Sequence, residues 1–71
     1  MSIQAILFDK IYWITKTARK YLKETRHIPI KRVHITDKYL RYRLIEPNYD
    51  KYNYIIRRGN NHIDYIIQLK K

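Results

Sequence analysis

The chain predicts an α+β fold: one amphipathic helix packed on a small, mainly antiparallel sheet, in the order β-α-β-β-β-β. Three observations point there. One stretch, Tyr12 to Arg26, carries apolar residues at helical spacing. Two stretches, Tyr39 to Ile45 and Ile63 to Leu69, alternate as strands do. Turn-forming residues, Asp37-Lys38 and Gly59-Asn60-Asn61, punctuate what lies between. At 71 residues the chain reads as a single small basic domain, 1–71, with a thin core.

The elements follow in order. Ile3 to Phe8 is short, apolar and β-branched, with Ile3, Ala5 and Leu7 alternating and Ile6 breaking the pattern, which predicts a strand. In the helical stretch, Ile14, Ala18, Tyr21, Leu22 and Thr25 share one face, and Lys16, Arg19, Lys20 and Lys23 fall mostly elsewhere. Asp9 or Thr15 is the expected cap, and Pro29 drives Ile28 towards an extended conformation, ending the helix before it. Ile30 to Thr36 and Tyr39 to Ile45 predict a hairpin turning at Asp37-Lys38, with Leu40, Tyr42 and Leu44 facing the helix and Tyr39, Arg41, Arg43 and Ile45 facing away. A polar connection, Glu46 to Asp50, leads to a second hairpin, Tyr52 to Arg57 and Ile63 to Leu69, with one buried and one partly solvated face. The core candidates are Trp13, Ile14, Ala18, Leu22, Val33, Leu40, Tyr42, Leu44, Ile56, Tyr65 and Ile67.

Sixteen Lys and Arg against six Asp and Glu give a formal charge of +10, interleaved with eight Tyr. Charge of that density speeds encounter with negative partners and points to nucleic acid or an acidic protein surface. Arg41 and Arg43 share a strand face with Tyr39, and Arg57 and Arg58 fall on a later strand. Guanidinium forks match phosphates and tyrosine rings stack on bases. The helix cations Lys16, Arg19, Lys20 and Lys23 form a second stripe that a phosphate backbone could neutralise. Both surfaces have a plainer reading: a solvated sheet face whose Arg stems cover Tyr rings and pair with Glu46 or Asp64, and a solvated helix face. Lys31-Arg32 and Lys70-Lys71 add basic clusters that also guard strand ends.

Other classes find little support. With no Cys, one Ser and six carboxylates lacking a paired arrangement, no nucleophile or acid-base couple is evident, and a non-enzymatic role is expected. His27, His34 and His62 fall in three separate elements, so neither a metal nor any other cofactor is expected. No run reaches the length of a membrane span, and the opening residues lack a secretory leader. With no Cys to suggest an oxidising compartment, an intracellular or intravirion setting is expected, and secretion is not.

Ile6-Leu7-Phe8-Asp9-Lys10, Trp13, Ala18, the pair Tyr21-Leu22, Lys23-Glu24, and later Tyr39, Arg41, Tyr42 and Arg43 form a set that covers about two thirds of the chain. In these residues the chain resembles a short basic domain of tailed phages, sometimes fused to head-maturation proteases, that also occurs as small stand-alone proteins of large DNA viruses. It departs from that pattern in three places. Tyr21 stands for a Trp, Ile14 for a capping Ser or Thr, and Arg26-His27 for a helix-ending Gly. The resemblance implies a viral origin and a link to the virion or its genome, and it brings no catalytic residues. The expected function is thus a small viral protein binding DNA or RNA without sequence preference through Tyr39, Arg41, Arg43, Arg57, Arg58, Lys16, Arg19, Lys20 and Lys23. The competing expectation is an interaction or assembly module, a minor virion component that meets an acidic protein or another copy of itself.

Overall fold

A computed structural model describes residues 2–71 as β1 (Ser2–Asp9), α1 (Thr15–Glu24), β2 (His34–Ile35), β3 (Tyr39–Arg43), β4 (Tyr52–Arg58) and β5 (Ile63–Lys70). The strands form one sheet in the order β2-β3-β1-β5-β4, with every neighbouring pair antiparallel. The α+β arrangement of one helix on a small sheet is therefore the fold of this chain. β1 is central because its run Ala5-Ile6-Leu7-Phe8 is apolar on both faces, and all four residues are buried.

The interruption at Ile6 has a structural cause. Ile3 pairs with Ile67 while Ala5 pairs with Ile66, so Gln4 is an extra residue, a bulge that shifts the alternation by one. Ile3 thereby joins Ile6 and Phe8 against the helix-side core. Gln4 turns to the other face and is fully buried there, its amide donating to the Ile45 carbonyl at 2.7 Å.

α1 begins later than its apolar spacing suggests. Asp9 accepts the Ile11 N–H at 2.9 Å and so closes the turn before the helix instead of capping it, while Thr15 is already inside the first turn. Ile14 occupies the cap position, and Thr17 Oγ1 accepts its N–H at 3.2 Å, which is one half of a capping box. At the other end the His27 N–H donates to the Leu22 carbonyl at 2.8 Å and Arg26 N–H to the Lys23 carbonyl at 3.2 Å. Those two bonds make a Schellman ending, and Arg26 takes the left-handed conformation, φ 60, that glycine ordinarily fills.

Phe8 is at the middle of the core, edge-on to Trp13, Tyr21 and Tyr42 with ring centroids 5.0, 5.8 and 5.6 Å away. Ala18 and Leu22 of α1, Leu40 and Tyr42 of β3 and Ile63 of β5 complete it, with Trp13, Val33, Leu44 and Tyr65 packed around. Two expected core residues lie outside. Ile14 is 62% exposed because the cap position points away from the sheet, and Ile56 is 63% exposed on the outer strand, opposite the helix.

The first expected hairpin is also shorter. Of Ile30 to Thr36 only His34–Ile35 form a ladder with β3. The Ile30 N–H still reaches the Arg43 carbonyl at 2.9 Å. Between them the chain bends away, Lys31 reaching Glu46 and Val33 turning into the core. In the second hairpin the left-handed residues are Asn61 and His62. Gly59 has an ordinary φ and is required instead by crowding, since a Cβ there would lie 2.6 Å from Tyr65 Cε2 and 2.8 Å from the Ile63 carbonyl oxygen.

Candidate functional site

Strand register sorts the sequence-predicted site residues onto two sides of the sheet. Tyr39, Arg41 and Arg43 lie opposite Asp9, Leu7 and Ala5 respectively, on the face away from α1, and Arg58 reaches the same face opposite Asp64. Arg57 does not join them: it pairs with Tyr65 and projects to the helix side. The open face is electrically mixed. The Tyr39 hydroxyl donates to Asp64 Oδ2 at 2.9 Å, and this bond, reinforced by burial, raises the Tyr39 pKa. Asp9, Asp64, Arg58 and His62 surround the same shallow hollow. Arg41 is half-buried across β1, its guanidinium 3.5 Å from Gln4 Oε1, and its Nε is buried without a partner among the described residues. Much of Arg41 therefore covers Leu7 and Gln4 instead of standing free in water.

The helix side is different. Because the Schellman ending reverses the chain and residues 31–33 bend off the sheet, a groove of about 880 Å³ opens between α1 and the following segment. Arg19, Lys20 and Lys23 border it from the helix, and His27, Lys31 and Arg32 from the opposite wall. Leu22, Ile28, Pro29 and Val33 supply apolar lining. Lys16 is exposed on the first helical turn and does not border the groove. Glu46 pairs with Lys31 at 2.8 Å, the single ion pair among the described residues, so Arg19, Lys20, Lys23 and Arg32 are uncompensated by contact.

Tyr42 stands from β3 towards α1 and also lines this groove. It is only 3% exposed, and its hydroxyl meets no hydrogen-bond partner among the described residues. Burial pushes its pKa up, opposed by the positive charge of Arg19. A buried hydroxyl without a partner costs about 1–3 kcal/mol.

The groove draws together residues that the sequence presented apart. Lys31 and Arg32 read as strand-end charges and Tyr42 as plain core. The available signal was the Pro29 break followed by a Lys-Arg pair where a continuing strand would need an alternating pattern. Among the described residues no group of three His, Cys, Asp or Glu could hold a metal ion, and no helix is long and apolar enough to cross a membrane. No family model, curated protein or solved structure matches the chain.

Proposed function

We propose that this protein binds nucleic acid without sequence preference, with the groove between α1 and residues 27–33 as its principal phosphate-binding surface. The observation that carries the reading is the convergence of Arg19, Lys20, Lys23, Lys31 and Arg32 on one groove with one carboxylate between them. Arg41, Arg43 and Arg58 on the opposite face, Lys16 on the first helical turn, and Arg57 on the helix side of β4 add general attraction. In keeping with the resemblance to phage and large-virus domains, the proposed setting is a virus-infected cell or the virion.

Counterion release gives the test its magnitude. If the four cations without a carboxylate partner each neutralise one phosphate of a single strand, log affinity falls with log salt at a slope of about −3, roughly 50-fold between 50 and 200 mM. Fluorescence anisotropy with a labelled oligonucleotide measures it. Affinity that is flat across that range, or absent at low salt, ends the proposal.

A second reading has its own observation. β4 is a seven-residue edge strand with Ile55 and Ile56 exposed, whereas β2 at the other edge has two residues. The Gly59 N–H and the Lys51 carbonyl bond to the β5 side, so by alternation the backbone groups of Tyr54, Ile56 and Arg58 face outward. A second copy pairing antiparallel about Ile55 would set Arg58 opposite Tyr52 and Arg57 opposite Asn53, with no like charges facing. Sedimentation at high concentration tests this, and a monomer throughout rules it out.

A further inference from the structure

We infer that the groove between α1 and residues 27–33 takes an unpaired nucleotide, its base on the apolar lining and against the Tyr42 hydroxyl, so that the protein selects single strands over duplex. The inference rests on the nucleic-acid reading above and adds to it which form is bound and which residue reads the base.

Three features favour that occupant. The groove is two-natured: Leu22, Ile28, Pro29 and Val33 offer apolar surface, and Arg19, Lys20, Lys23, Lys31 and Arg32 border it. A nucleotide has that same division between a flat base and an anionic phosphate. The base of a duplex is stacked and paired, and its phosphates touch only the outside of such a groove, whereas an unstacked base can enter. At about 880 Å³ the space also exceeds what a phosphate alone would occupy. Finally, Tyr42 brings a buried, unpartnered hydroxyl to the groove, a group able both to donate to and accept from a base edge. Because the hydroxyl has no open surface here, entry of the base requires the exposed side chains that border the groove to shift aside.

Tyr42→Phe separates this from general electrostatics because it changes no charge and keeps the ring in contact with Phe8. The probes are a single-stranded DNA of roughly 12 nucleotides and the same sequence as a duplex, at low and moderate salt, with thermal melting as a control for folding. The expected result is tighter binding of the single strand, a loss of about fivefold to tenfold for it in Tyr42→Phe, no change for the duplex, and a melting temperature no lower than that of the unaltered protein. Lys23→Ala should weaken both forms. Equal, salt-dependent binding of the two forms, or a Tyr42→Phe variant that holds the single strand as well as the unaltered protein, overturns the inference and leaves the broader reading standing. Failure of both probes at low salt overturns both together.

Discussion

Replacing Gly59 with Ala tests the packing at the sheet edge. The added Cβ would lie 2.6 and 3.3 Å from Tyr65 Cε2 and Cδ2, and 2.8 Å from the Ile63 carbonyl oxygen. Carbon contacts are relaxed at about 3.5–4.0 Å, so ring or strand must give by roughly 1 Å. The ring is not free to retreat, since it packs against the core and its hydroxyl is 3.4 Å from that of Tyr21. Nor is the carbonyl, because it accepts the Gly59 N–H at 2.8 Å in the last rung before the turn. Overpacking of this kind costs about 1–3 kcal/mol, and a weakened rung about 1 more. The lower entropy of an unfolded chain carrying Ala returns about 0.4–1 kcal/mol. A net loss near 2 kcal/mol results, a large part of the roughly 4–10 kcal/mol expected of a chain this long. Urea unfolding followed by Trp13 fluorescence should show the midpoint fall with an unchanged slope, and the melting temperature should drop by about 8–16 °C. A variant within about 0.5 kcal/mol of the parent would refute the crowding argument.

Further outcomes follow from other features. Arg26→Gly relieves a left-handed arginine in the Schellman ending and should raise stability by roughly 0.5–1 kcal/mol, read from the same urea curves. Tyr39 is held up by its bond to Asp64, Tyr42 by burial, and Tyr65 is pushed up to about 12 by burial. The folded chain therefore keeps protons that the unfolded chain releases near pH 10. Stability is full below about pH 10 and declines towards pH 12, and a melting temperature that stays level across that window contradicts the assignment. Glu46→Gln releases Lys31 into the groove; stability should change by less than about 1 kcal/mol, while the salt slope of oligonucleotide binding steepens by about 0.7. Alanine at both Arg19 and Lys23 should weaken oligonucleotide binding more than alanine at both Arg41 and Arg43, and the reverse order would move the interface to the open face.

Legibility in the sequence followed how directly each residue's environment is set by its neighbours in the chain. β3 and β5 were readable because alternation is a local signal, and Leu40, Tyr42, Ile63 and Ile67 are buried as their parity requires. The helix was readable from Ala18 and Leu22, but its start was not: a turn through Ile11 and Tyr12 uses Asp9 first. β1 was readable as a strand but its facing was not, because a bulge at Gln4 reverses parity within it and no local pattern announces a buried glutamine. The groove was least legible of all. Its walls are Arg19 to Lys23 and His27 to Arg32, and they face each other only because a left-handed Arg26 turns the chain and residues 31–33 leave the sheet.

The position of β1 also governs how the molecule must be made. Its flanking partners, β3 and β5, lie far downstream, with Ser2 paired to Gln68 across nearly the whole sequence. At about 5–20 residues per second, a ribosome needs roughly 3–12 s to polymerise the 61 residues from Lys10 to Lys70. For that interval the greasiest segment of the nascent chain, Ala5-Ile6-Leu7-Phe8, has no permanent neighbour on its β5 side. Emergence of β5, not the appearance of any early element, is then the event that allows the sheet to close. Deleting β5 should leave an insoluble product rather than a weaker one.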